Sequence, residues 1–238
     1  GDFNGVKAVN REEACLYALN TLTADMVEYD AKTTVSTNGT TVVIAGSKAK
    51  EMVNNGNTDG KIFTKDGVMQ FAEKYFDNLT VKTGSDDFSR PANVWKVKAE
   101  EIGTYTNTPD ASYTKKVEVG DIYKDLGLGS KIEKKNVSVY VDGVANASQP
   151  ACAITKGDDT NKYGDNGVLT EVFYNDDNDS VIITEVNTYI GSINKTVKAT
   201  DKKDAYVVVT TEGPVPVSGF DNEFETDEKF DDDAYVLY

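Results

Sequence analysis

Val168-Leu169-Thr170-Glu171-Val172-Phe173-Tyr174, the segment Asn175-Asp176-Asp177-Asn178-Asp179, and the run from Val181 to Val197 decide how this chain folds. β-Branched and aromatic residues fill both arms, and acidic turn-forming residues separate them, so both arms read as strands. Gly191 interrupts the second arm and predicts a bend or bulge there. Working outward, Val137-Ser138-Val139-Tyr140-Val141 runs into the turn dipeptide Asp142-Gly143. Ala205 to Thr210 and the terminal Ala234 to Tyr238 bring the count to five candidate strands. Their spacing predicts a small antiparallel β-barrel or sandwich over residues 130–238.

Upstream of Gly129 the pattern is mixed, so residues 1–129 are expected to form a separate α+β region. Asn10 is a suitable N-cap, Glu13 stands where a capping box needs an acid, and Leu16, Leu19, Thr23 and Met26 follow at helical spacing. Cys15 and Leu22 lie alongside, which predicts a helix over about 9–26. Thr33 to Thr37 and Thr40 to Ala45 flank Asn38-Gly39, the strongest short hairpin signal. Ser47 to Gly60 reads as loop with a helical turn. Thr64 to Phe76 reads as a second helix, with Val68, Phe71, Ala72, Tyr75 and Phe76 on one face. Gly67 weakens that helix by about 1 kcal/mol. Residues 84–91 form a turn-rich loop, Asn93 to Tyr105 reads as a strand holding the single tryptophan, Trp95, and Val119 to Leu126 reads as a short helix closed by Gly127. The class is therefore α+β and strand-rich.

Composition narrows function. The chain of 238 residues is 39% hydrophobic, enough to bury a core, and no run approaches the roughly 20 apolar residues of a membrane span. Gly1-Asp2-Phe3 opens without a basic or apolar leader, so the chain is read as an internal fragment. The net charge of −15 repels phosphates and anionic lipid heads, which argues against nucleic acid and membrane insertion. There is no histidine. Ser-His-Asp and Cys-His chemistry are thereby excluded, together with most catalytic zinc sites. Cys15 and Cys152 permit one disulfide or two free thiols.

The remaining constellations carry little chemistry. Read as a calcium loop, Asp159-Thr160-Asn161-Lys162-Tyr163-Gly164 puts Tyr163 and Thr170 where ligands belong, and it fails. Asp176-Asp177-Asn178-Asp179 reads as an acidic turn, and Asp231-Asp232-Asp233 is a weaker cation candidate. Ser47-Lys48-Ala49-Lys50 has an acylating-enzyme spacing without the partner motifs. With 40 acidic residues, paired carboxylates for glycoside hydrolysis arise by chance. Tyr174, Tyr189, Tyr206, Tyr235 and Tyr238 lie on or beside strands; they fill the interior or form an exposed row that stacks on sugars. Arg90 and Trp95 are a candidate cation–π pair. Asn-x-Ser/Thr triplets at Asn78, Asn136, Asn146 and Asn194 are too short to carry meaning on their own. No catalytic or metal residue, ligand-binding residue or cofactor is assigned.

Asn10-Arg11-Glu12-Glu13-Ala14, leading into Leu16-Tyr17-Ala18-Leu19-Asn20-Thr21-Leu22, resembles the closing step of an S-layer homology (SLH) domain. Arg90-Pro91-Ala92-Asn93-Val94-Trp95, Glu101-Ile102-Gly103-Thr104-Tyr105, Asp121-Ile122-Tyr123-Lys124-Asp125-Leu126-Gly127 and Gly167-Val168-Leu169-Thr170-Glu171-Val172 are similar to the region after the anchoring repeats in surface proteins of gut clostridia. The opening turn of the SLH pattern is reduced here to Asp2-Phe3-Asn4-Gly5. The resemblance implies export, an extracellular location at the cell wall, and a noncatalytic structural or spacer role. The partners it implies are cell-wall polymer or neighbouring surface-protein domains. The rivals are a carbohydrate- or host-ligand-binding domain and a carboxylate-dependent glycoside hydrolase.

Overall fold

The computed structural model describes residues 8–29, 33–44, 48–145, 149–201, 203–216, 222–226, 228–231 and 234–238. Asp2 to Gly5, Ala45, Ser47, Asn146 to Ser148, Asp232 and Asp233 lie outside them. The protein is strand-rich, with 13% helix and 44% strand. It divides into two compact units, one of residues 1–84 and 93–105, the other of 85–92 and 106–238. The boundary expected near Gly129 therefore falls inside the second unit. The chain leaves the first unit at Gly84, gives eight residues to the second, and returns at Asn93.

The first unit opens with helix α1 (Arg11–Thr23), whose capping box forms as expected: Asn10 Oδ1 accepts from Glu13 N and Glu13 Oε2 accepts from Asn10 N. The helix buries none of its residues, and Leu16 and Leu19 are exposed. It ends three residues before Met26, because Met26 N bonds to Met69 O and the chain turns into strand β1 (Val27–Tyr29). Strands β2 (Thr33–Thr37) and β3 (Thr40–Ile44) make the expected hairpin. The loop expected from Ser47 contains β4 (Ala49–Glu51), antiparallel to β1.

The second helix shrinks to α2 (Phe71–Tyr75). Gly67 sits at φ +77, a left-handed value that no helix interior accepts, and Val68 and Gln70 instead bridge to Val53 and Asp25. Strands β5 (Leu79–Ser85), β6 (Pro91–Val97) and β7 (Glu100–Thr106) hydrogen-bond in that order. What read as one strand from Asn93 to Tyr105 is thus two, joined by a turn at Lys98-Ala99. Ile62, Ala72, Val81 and Trp95 form the core, with Leu22, Phe63 and Leu79 packed on it.

In the second unit, β8 (Ala111–Tyr113), β9 (Val117–Glu118), helix α3 (Val119–Asp125), β10 (Val137–Val141), β11 (Val144–Ala145), β12 (Lys162–Tyr163), β13 (Val168–Asn175) and β14 (Ser180–Asn187) precede four further strands. A five-stranded sheet has the order β11-β10-β14-β13-β8. The β10–β14 pair is parallel, from Val137↔Val181 to Val141↔Glu185, and the other pairs are antiparallel. Odd-numbered residues of β10 and β14 alternate into a core that also receives Val119 and Ile122 from α3, with Ile132, Ile154, Tyr163 and Val172.

Strands β15 (Ile190–Val197), β16 (Tyr206–Thr211), β17 (Glu223–Glu225) and β18 (Tyr235–Leu237) make a separate antiparallel sheet, order β17-β16-β15-β18. Its core is Ile193, Val207 and Val209. The run from Val181 to Val197 is therefore two strands in two sheets. The predicted irregularity near Gly191 is present as a register shift between Ile193 and Lys195. A Cβ on Gly191 would lie 2.2 Å from a Val209 methyl, so glycine lets β16 pack closely there. Among the described residues the sheets are open and no closed barrel forms; one parallel pair also departs from the wholly antiparallel arrangement expected.

Candidate functional site

Buried carboxylates are the first place to look for chemistry, because burial and like charge shift their proton affinity. In the second unit, Asp142 follows β10 in the turn and Glu185 lies on β14, and both are buried. Asp142 Oδ1 accepts from Asn187 N at 3.0 Å, and Oδ2 accepts from Asn187 Nδ2 at 3.1 Å and from the Tyr189 hydroxyl. Glu185 Oε1 accepts from Gly164 N at 2.6 Å. Burial raises the Glu185 pKa above the carboxylate range, opposed by the Gly164 bond and assisted by the negative charge of Asp142. Burial likewise raises the Tyr189 hydroxyl, and its bond to Asp142 raises it further. The hydroxyls of Thr170 and Thr184 are buried beside these groups in sequence register and have no partner among the described residues.

This arrangement ties strand ends together. Asp142 joins the β10 turn to the end of β14 and to Tyr189, while Glu185 holds the Tyr163-Gly164 corner. Hollows of about 430, 730 and 500 Å³ on this unit are lined around Asp121 and Asp158, around Lys134 and Pro150, and around Thr114 and Asp125. Asp142 and Glu185 line none of these three. In the first of them two of the lining acids are already engaged: Glu118 pairs with Lys162 at 2.6 Å, and Asp158 accepts from Thr160 N, Asn161 N and Asn161 Nδ2. The Asn161 backbone bond is the main reason that Asp158 stays below the usual carboxylate range.

Among the described residues the first unit holds one buried acid, Glu73, 1% exposed. Its Oε2 accepts from Asn54 Nδ2 at 2.6 Å, and its Oε1 from Gly60 N at 3.0 Å and Ile62 N at 3.3 Å. Asn54 Oδ1 in turn accepts from Gly56 N and the Thr58 hydroxyl. Glu73 is thereby the staple of loop 54–62.

The sequence candidates resolve as follows. Among the described residues no group of three or more acidic or cysteine side chains converges on a metal position. The Asp176–Asp179 turn closes on itself: Asp177 N bonds to Asn175 Oδ1, and the Tyr174 hydroxyl to Asp179 Oδ1. The strand tyrosines do not form one exposed row. Tyr238 packs in the core of the four-stranded sheet with its ring 5.3 Å from that of Phe224, Tyr189 binds Asp142, and Tyr206 carries the Lys203 ammonium 3.7 Å from its centroid. Tyr235 alone of the five is strongly exposed, at 75%. Arg90 stacks on Phe88, 5.3 Å from its centroid, while Trp95 is core. Cys15 is an exposed free thiol and Cys152 a half-buried one, its Sγ 3.3 Å from the Tyr163 hydroxyl.

Two features escaped the sequence reading. The segment 85–92 is clamped by Arg90, which binds Asp86 at 2.7 Å and Glu171 at 3.2 Å, and by Ser89 Oγ donating to Gly143 O. A Cβ on Gly143 would meet Asp87 O at 2.2 Å, so only glycine fits under this clamp. The second is an exposed aromatic pair, Tyr75 and Phe76, at the end of α2. Adjacent aromatics in a helical pattern signal a core face, which is why exposure was not expected there.

No family model, curated protein or solved structure matches this chain. No helix of the described residues is long and apolar enough to cross a membrane.

Proposed function

We propose that the chain is a noncatalytic structural module of an exported, cell-wall-associated surface protein of the S-layer type. The observation that supports it is the use made of buried polar side chains. Glu73 staples a loop, Asp142 and Glu185 tie strand ends, and Arg90 with Asp86 and Glu171 clamps the segment 85–92. Among the described residues, each buried acid, where burial can tune proton affinity, braces the fold. Its neighbours in this reading are wall polymer and adjoining surface-protein domains, and the −15 charge suits an outward, solvated face.

The test has two arms. Fractionation of the producing cell should recover the protein with the wall and release it under chaotropic washing. The purified chain should release no reducing ends from purified wall polysaccharide. Recovery in the cytosol, or turnover that disappears in Glu185→Gln, overturns the proposal; the latter would favour the carboxylate-dependent hydrolase.

A further inference from the structure

Tyr75 and Phe76 are 56% and 47% exposed, an unusual position for two adjacent large aromatics. Phe71 braces both from within the helix, its ring centroid 4.7 Å from that of Tyr75 and 6.3 Å from that of Phe76. The chain after them is rigidly held: Phe76 N donates to Ala72 O, Leu79 N to Phe76 O, Lys61 Nζ to Asp77 O at 2.6 Å, and Lys98 N to Asn78 O at 3.0 Å. The backbone of Asp77 and Asn78 is thus engaged, while their exposed side chains have no hydrogen-bond partner among the described residues. With Leu79 and Val97 these residues line a hollow of about 450 Å³. That size lies within the roughly 300–1,000 Å³ of small-molecule sites.

We infer that this hollow holds a neutral saccharide. Aromatic faces carry partial negative charge and attract the polarised C–H face of a sugar ring. The free carboxylate and amide beside them match the hydroxyl rim of the same ring. A purely apolar guest would leave Asp77 and Asn78 desolvated and unpaired, which disfavours it. An anionic guest meets Asp77 and a chain of net charge −15. Lys74 leans on Tyr75, 5.5 Å from its centroid, so Phe76 is the principal stacking platform. The inference adds a ligand to the structural module and stands whether or not that module resides at a cell wall.

The experiment is an immobilised array of chitin, cellulose and mannan oligomers with hyaluronan oligomers as the acidic comparison, read with the whole chain and three variants. At least one neutral oligomer should bind saturably. Phe76→Ala should weaken it about tenfold, the upper end of an aromatic contact. Phe76→Leu keeps the apolar packing and loses the aromatic face, so it should weaken binding similarly while its thermal midpoint stays close to the parent's. Tyr235→Ala, an exposed aromatic of the other unit, should bind as the parent does. The inference fails if no neutral oligomer binds, if only hyaluronan does, if binding survives both Phe76 substitutions, or if Tyr235→Ala abolishes it.

Discussion

Glu73 in the first unit and Glu185 in the second are both nearly withdrawn from water, at 1% and 4% exposure, yet they are held differently. Glu73 accepts three hydrogen bonds and its partner Asn54 accepts two more, whereas Glu185 accepts one from Gly164. The apolar surroundings differ in the opposite sense. Among the described residues the first unit buries four apolar side chains in its core, and the main core of the second buries eleven. Where apolar burial is thin, a buried charge is tolerated only in a complete network. Where it is abundant, the fold carries a carboxyl with a single hydrogen bond; orphan buried polar atoms do not separate the units, since Gln70 Oε1 in the first joins the Thr170 and Thr184 hydroxyls in the second.

The largest effect should come from emptying the thinner core. Trp95→Ala removes the biggest of its four side chains and is expected to destabilise the first unit by about 3–5 kcal/mol. Denaturant unfolding followed by hydrogen exchange should show residues 54–84 losing protection before the five-stranded sheet does. Simultaneous loss in both units would break the contrast.

Next comes the network. Glu73→Gln leaves one oxygen where two were used, so its new amide group must face either Asn54 Nδ2 or the Gly60 and Ile62 N–H groups. Asn54 cannot rotate to help, because its own oxygen is held by Gly56 and Thr58. A loss of about 1–3 kcal/mol is expected, read as a shift in the urea midpoint at constant slope. A shift near zero would show that loop 54–62 tolerates a broken network.

How far these regions were legible in the sequence follows from what kind of signal each carries. The α1 cap and the Asn38-Gly39 and Asp142-Gly143 turns are local, and the sequence shows them with their own residues. The Lys98-Ala99 turn uses left-handed φ values of 51° and 70° without glycine or asparagine, so nothing marked it and two strands read as one. Strand β4 is Ala-Lys-Glu, with no β propensity; it exists because β1 pairs with it. The parallel β10–β14 pairing joins strands about forty residues apart, and periodicity says nothing of register at that distance. The Tyr75–Phe76 hollow was hidden for a related reason: apolar residues at helical spacing read as a core face, and nothing local marks that these two stay exposed.

A smaller effect separates capping from packing. Asn10→Ala removes the side-chain half of the α1 box, the bond from Glu13 N to Oδ1, while the backbone N–H of residue 10 can still donate to Glu13 Oε2, and should lower stability by about 1 kcal/mol. Leu16→Ala, on the same helix but 50% exposed, should change it by less than about 0.5 kcal/mol. If the two thermal shifts come out reversed, the exposed face of α1 is covered in solution.

The smallest effect at neutral pH should be at Glu185, and its sign distinguishes the two glutamates. Burial raises its pKa, so the folded state holds the proton more tightly than the unfolded chain does. Stability therefore falls as pH rises from the ordinary carboxylate range through the raised native value, and the penalty is fully present above it. Glu185→Gln keeps the oxygen that accepts from Gly164 and removes the charge. It should lose no stability at neutral pH and should flatten the decline that the parent shows on leaving the acid range, measured as urea midpoints across that interval. Glu73→Gln must lose stability at neutral pH under the same conditions. If Glu185→Gln is the more damaging of the two, or keeps the parent's slope, then the single bond to Gly164 is not what holds Glu185, and the larger core is not what permits it to be underpaired.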